Sequence, residues 1–163
     1  KAMTGDRTVK PCPNASYSDL LLPFAAYDAV AVLRNSTGTR EVKLENFIRP
    51  DGKIDITSQE ILTEILFKKD ASKKAYRCLR YPNSMGLPYF SVIADYKGNN
   101  KFDLTIGGAT KSIYKFRGLS KEVVNGSLLD NFKFKESIYL SKEYIKTVAL
   151  SLILEAMYKA MEV

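Results

Sequence analysis

The side chains of this sequence that could do chemistry form few of the groupings that chemistry needs. There is no histidine, the residue whose ordinary pKa suits it to general acid–base work near neutral pH. Cys12 and Cys78 lie far apart, with no second thiol close to either. Zinc spacings and the four thiolates of an iron–sulfur cluster are therefore both missing, and two free thiols are expected. Asp95, Asp103 and the tyrosines show no paired-acid or triad arrangement. No catalytic residue and no metal ligand is assigned. Asp19, ahead of an apolar run, has the position of a helix N-cap, and Ser16 that of an ordinary capping residue. Leu62 reads as a core residue and Arg77 as a surface arginine on an edge strand. The Asn-x-Ser/Thr triplets at Asn14, Asn35 and Asn125 read as turn chemistry rather than glycosylation sites.

The elements that must position these residues follow from periodicity. Residues 19–33 suit a short helix over about 19–28, with Pro23 in its first turn, leading into a strand at Ala29–Leu33. Arg34–Arg40 then reads as a hairpin loop, with a returning segment Arg40–Phe47. The stretch from Thr57 to Phe67 fits either a capped helix or a strand, and a short turn followed by a strand from Leu62 to Phe67 is favoured. The lysine-rich segment Lys68–Lys74 is the best candidate for a domain boundary, dividing the chain into 1–70 and 71–163.

Beyond it come Ala75–Tyr81, a turn at Pro82, a strand Tyr89–Tyr96 of high β propensity, and a hairpin at Lys97-Gly-Asn-Asn into Phe102–Ile106. Two or three antiparallel strands are expected here. A one-to-two-turn helix capped by Ser120 and stopped by Gly126 is expected next. From Ser141 onward the apolar stripe Tyr144, Ile145, Val148, Ala149, Leu152, Ile153, Ala156, Met157, Ala160 and Met161 predicts a long helix able to cover a sheet.

With 163 residues, 45% of them hydrophobic, the chain has the material for a packed core. It has no run of about 18 apolar residues and no amino-terminal signal pattern, so neither a membrane span nor export is expected and the cytoplasm is the default compartment. The net charge of +7 comes from residues 61–163, because the first sixty balance eight basic against eight acidic side chains. The lysines, Lys68, Lys69, Lys73, Lys74, Lys97, Lys101, Lys111 and Lys115, are scattered rather than aligned with aromatic platforms. They read as a solvated basic face, and nucleic-acid binding is not expected. The chain begins with Lys, and a segment upstream is expected.

Three stretches in the second part carry a family resemblance: Arg80-Tyr-Pro-Asn-Ser-Met-Gly-Leu-Pro-Tyr-Phe-Ser-Val-Ile-Ala, Asp103-Leu-Thr-Ile-Gly-Gly-Ala, and Phe116-Arg-Gly-Leu-Ser-Lys-Glu-Val-Val-Asn-Gly. In that order they resemble the carboxy-terminal domain of the FAD-binding subunit of molybdenum hydroxylases, the xanthine and carbon monoxide dehydrogenase family. Asn14-Ala-Ser-Tyr-Ser-Asp is similar to that family's second FAD loop, although one residue shorter and with Tyr17 where proline is usual. Arg40-Glu-Val-Lys-Leu-Glu-Asn-Phe and Glu60-Ile-Leu are similar to its hairpin return and strand entrance. The resemblance covers about residues 14–160.

What it implies is an α+β fold: a three-stranded antiparallel sheet packed on helices, preceded by the partial end of an FAD-binding α+β domain. It implies FAD as cofactor, with Ser16 and Asp19 on the cofactor, Leu62 packed on the flavin and Arg77 as a nearby cation. Molybdopterin and iron–sulfur clusters would sit on partner subunits, and the FAD site would need an amino-terminal polypeptide bearing the glycine-rich pyrophosphate loop. Gly107-Gly108 does not replace that loop and is expected to allow close helix packing. The chain by itself is not expected to be an enzyme; it would form part of an electron-transfer subunit. The rival class is a non-catalytic α+β binding or assembly module whose basic second part docks an acidic partner.

Overall fold

The computed structural model describes residues 20–47, 49, 53–80, 88–108, 112–130, 132, 134 and 140–162. The fold is α+β. A short helix α1 (Leu21–Ala26) leads into β1 (Val30–Asn35) and β2 (Gly38–Lys43), then a helical turn α2 (Leu44–Phe47) and β3 (Ile61–Leu66). A second group follows: β4 (Lys73–Leu79), β5 (Phe90–Gly98), β6 (Lys101–Gly107), β7 (Tyr114–Ser120) and the long helix α3 (Lys142–Glu162). The strands form two antiparallel sheets, ordered β2-β1-β3 and β4-β5-β6-β7.

The first hairpin is tighter than its sequence predicts. Asn35 pairs with Gly38, and the Asn35 Oδ1 accepts from the Thr37 and Gly38 amides at 2.9 and 2.8 Å. That side chain completes the turn, so the strands run almost to its tip. Asn125 does the same work further on, accepting from the Ser127 amide at 3.0 Å. Both asparagines therefore act as turn residues, as expected; Asn14 lies outside the described residues. The β5–β6 hairpin turns at Asn99 and Asn100, with φ of 50° and 57°, the left-handed pair that a two-residue turn between twisted strands requires.

The second sheet has four strands, one more than the sequence predicts. Tyr114–Ser120 pairs with β6, with a register shift between Phe102 and Leu104, and its charged Lys115 and Arg117 hide the strand pattern in the sequence. The expected helix after it is two 3-10 turns, Lys121–Val123 and Gly126–Leu129. Gly126 begins the second turn instead of ending a helix, because Asn125 rather than Ser120 supplies the capping oxygen. The long helix starts where expected, with Ser141 Oγ accepting from the Tyr144 amide at 3.1 Å.

Both faces of the second sheet are covered. Phe90, Val92 and Ala94 of β5 point to α3, where Ile145, Ala149, Ile153, Ala156, Met157 and Ala160 meet them in one core with Phe102, Leu104 and Ile106. The alanines let the helix lie close to the strands. On the opposite face Ile93 joins Leu22, Ala25 and Ala26 of α1 and Ile113. A helix from the first part of the chain thus roofs the sheet of the second, which is why β5 is buried along six successive residues.

Gly108 fits this picture differently from its sequence expectation. Its φ is +90°, and a Cβ there would meet the Phe90 Cα and the Tyr89 carbonyl oxygen at 3.0 Å. The close approach is to the start of β5, not to a helix.

Candidate functional site

Leu62 occupies the second position of β3, opposite Leu33 of β1. It is 38% exposed, whereas Leu33 is 1% exposed, so Leu62 is a surface residue and not the core residue its isolated pattern suggests. A register shift between Val32 and Leu33 accompanies the Thr63 hydroxyl donating to the Val32 carbonyl at 3.2 Å. The strand around Leu62 is thereby held in a bulged register that sets which side chains face outward.

What fixes the entrance to that strand is a carboxylate that sequence reading treated only as part of a motif. Glu60 is 5% exposed at its side chain and receives Arg40 Nε at 2.5 Å and Nη2 at 3.0 Å. Its Oε2 also accepts from the Thr57 amide at 2.7 Å. Arg40 further reaches Asp55 Oδ2 and the Asp55 carbonyl at 3.1 and 3.0 Å, and Arg49 holds the other Asp55 oxygen. The Arg40 guanidinium, then the Thr57 amide, hold the Glu60 carboxyl down at about 2, and the two acids push Arg40 further above its ordinary value. A forked guanidinium bridging two acids is a rigid clamp. It places Ile61 and Leu62 at a fixed point beside β1. The signal available in sequence was the Arg40 and Glu60 pair of motifs, but their contact across twenty residues is not a spacing that any local rule reports.

Arg77 stands on β4 opposite Val92, on the face that α3 covers. Its Nε lies 3.4 Å from Glu155 of α3, with both side chains partly exposed. Leu62 and Arg77 thus belong to different sheets, and Arg77 has a carboxylate partner from its own region. Ser16 and Asp19, like Cys12, lie outside the described residues; the position preceding α1 is Leu20, whose side chain makes no cap.

Two of the lysines read as a solvated face, Lys74 and Lys115, are interior connectors. Lys74, 9% exposed at its side chain, bridges Asp70 at 2.7 Å and Asp95 at 3.1 Å and lies 4.4 Å from the centre of the Tyr27 ring. Lys97 adds a second bond to Asp95 at 2.7 Å. Asp95 and Asp103, unpaired in sequence, face each other across β5 and β6. The Asp95 Oδ1 is buried without a protein partner. Lys115, 4% exposed, donates to Asp28 and to the Ala25 carbonyl at the end of α1, and Arg117 joins Asp28 to Glu45. Asp28 adopts φ of 53°, a left-handed conformation that aspartate tolerates, and presents its carboxylate to both cations. These contacts tie α1 and the linker to the second sheet.

Among the described residues no group of three His, Cys, Asp or Glu could hold a metal, and no helix is long and apolar enough to cross a membrane. Gly108 is packed on the β5 backbone. At the surface Leu62 presents an apolar side chain that is 38% exposed.

Residues 12–67 match the family described as the FAD binding domain in molybdopterin dehydrogenase. Over that segment the chain is similar to the FAD binding domain of molybdopterin dehydrogenases. That match takes in Ser16, Asp19, the Arg40–Glu60 clamp and Leu62 and ends just past β3. Arg77 falls beyond it.

Solved structures agree in fold at low identity. Quinoline 2-oxidoreductase from Pseudomonas putida 86 superposes with a TM-score of 0.69 at 14% identity, over 91% of this chain and 59% of its own. For a carbon monoxide dehydrogenase from Hydrogenophaga pseudoflava lacking the Mo-pyranopterin moiety of its cofactor, the values are 0.75, 15%, 92% and 58%. The reconstituted carbon monoxide dehydrogenase from Oligotropha carboxidovorans gives 0.70, 14%, 90% and 57%. This chain spans less than three fifths of the length of those chains. No curated protein sequence matches it.

Proposed function

We propose that this chain is part of the FAD-binding electron-transfer subunit of a molybdenum hydroxylase complex. In that complex electrons from a molybdenum centre pass through iron–sulfur clusters to FAD and on to an acceptor. The observation that carries the reading is the clamped, surface-facing Leu62 inside a segment that matches an FAD-binding family. When bound, FAD would supply the two-electron redox chemistry.

This chain's own residues would bind and orient it. Ser16 and Asp19 would hydrogen-bond the hydroxyls of the ribityl or ribose portion, and Leu62 would pack against the isoalloxazine and exclude water. Arg77 would supply a cation that favours the anionic reduced flavin, its long, partly exposed pairing with Glu155 being readily exchanged. Residues 1–70 would close the flavin domain, and 71–163 would form the smaller sheet-and-helix domain beside it. Partners would be the polypeptide carrying the rest of the FAD site, a molybdopterin subunit and an iron–sulfur subunit, in the cytoplasm.

The test is to purify this chain together with the polypeptide encoded immediately before Lys1 and to record the visible spectrum. A flavin spectrum that fades on dithionite addition is expected. A colourless complex under every reconstitution with FAD removes the proposal.

A further inference from the structure

Once the lysines bound to Asp28, Asp70 and Asp95 are set aside, most of those that remain in the second part gather at one end of its sheet. Lys73 opens β4 opposite Tyr96, and Lys101 opens β6 opposite Gly98. Ser120, opposite Lys101, ends β7 and is followed by Lys121. Neighbouring strands lie about 4.8 Å apart, so the four strand ends bring these three lysines within about 15 Å. Lys68 and Lys69 stand on the segment that leads into β4. Lys68, Lys69, Lys73 and Lys101 are exposed, and among the described residues none of the four forms an ion pair.

The acids at the same end are already committed. Asp70 holds Lys74, Asp95 holds Lys74 and Lys97, Asp103 accepts from the Gly118 amide, and Glu122 accepts from Asn100. Nor do the terminal segment and the stretch before α3 bring an excess of acid: residues 1–19 carry three basic side chains against two acidic, and 131–139 two against one. Apolar side chains stand among the lysines. Phe67, 53% exposed, precedes Lys68, and Val123, 55% exposed, lies two residues beyond Lys121.

We propose that this end of the second sheet is the docking surface for an acidic protein that binds and leaves, a partner additional to the subunits named above. Clustered cations without acids of their own raise the local concentration of an acidic surface and speed its encounter. The type of cation selects protein over nucleic acid. Arg34, Arg40, Arg77 and Arg117 are each bound to an acid elsewhere, so the patch is made of lysines. A guanidinium fork grips two phosphate oxygens at once, whereas lysine is a point charge on a flexible stem, committed to no single geometry. Phe67 and Val123 suit the apolar centre of a protein interface and have no counterpart on a phosphate backbone. Lysine is depleted in protein interfaces generally, and small charge-steered contacts belong to transient complexes. A second copy of the chain does not fit, because it would bring the same cations and a net charge of +7.

The test titrates the full chain into a fluorescein-labelled poly-glutamate peptide at low salt and maps the contact by backbone amide shifts. Shifts are expected at 68–73, Lys101 and Val123 and not on β2, and binding is expected to weaken as salt is added. The triple substitution Lys68→Glu, Lys69→Glu, Lys73→Glu is expected to weaken binding about tenfold or more, with circular dichroism unchanged. Lys43→Glu, Lys142→Glu, Lys146→Glu changes the net charge by the same amount and is expected to weaken it less than about threefold.

Equal loss in the two variants, shifts centred elsewhere, or no binding at low salt overturns the proposal. So does tighter binding of a single-stranded DNA of equal length, or of vesicles of equimolar phosphatidylserine and phosphatidylcholine, which would give the surface to a different class of partner. If the first variant does not fold, the wild-type shift map and the comparison of the three probes decide.

Discussion

In the second sheet β5 is enclosed from both sides, by α3 and by α1, and the apolar residues of three strands and a 21-residue helix meet in one core. In the first sheet only β1 is enclosed. Its cluster rests on Ala29, Ala31 and Leu44, and β3 leaves four apolar side chains in water or partly so. The same chain therefore holds one sheet that satisfies itself and one that is clamped by charge and left open. Apolar burial supplies stability wherever it occurs.

The comparison predicts unequal responses. Phe102→Ala, which empties the centre of the second core, is expected to cost about 3–5 kcal/mol, read as a shift of the denaturant midpoint at constant slope; a loss below about 1 kcal/mol would erase the contrast between the sheets. Gly108→Ala, which forces a left-handed non-glycine residue against the β5 backbone, is expected to cost about 1–3 kcal/mol in the same measurement.

Acid should strike the first sheet before the second. The Glu60 carboxyl has an ordinary value of 4.5 and is held at about 2 in the fold. A group whose pKa falls on folding contributes stability above its unfolded value and loses it as pH drops toward the folded one. Between pH 4.5 and 2 the β3 amides should therefore exchange progressively faster while those of β5 stay protected; equal loss in both would show that the clamp is not what holds β3. Asp28→Asn, which weakens the tie from the α1–β1 corner to Lys115 and Arg117, is expected to cost no more than about 1 kcal/mol, less at high salt, and a double-mutant cycle with Arg117→Met isolates the pair. Leu62→Ala should leave stability within about 0.5 kcal/mol, yet reduce flavin retention in the reconstituted complex. Equal losses in both readouts would return Leu62 to a packing role.

Much of the second region was legible because its signals are local. The α3 stripe, the double-asparagine turn and the alternation of Phe102, Leu104 and Ile106 each declare themselves within a few residues. The fourth strand was hidden, since Lys115 and Arg117 look solvated until their acidic partner is known to be Asp28, almost ninety positions earlier. Separation in sequence likewise concealed the approach of Lys74 to Tyr27 and Asp95 and the packing of α1 on the second sheet. For the candidate site, periodicity cast Leu62 as core because an exposed apolar residue has the same sequence pattern as a buried one.

The lysine that caps α1 has a consequence in time. The carbonyl of Ala25 finishes its hydrogen bonding through Lys115, which leaves the ribosome ninety residues later. During synthesis α1 emerges early but has no sheet to roof and no cation at its end until β7 has been made, so this helix waits for that strand.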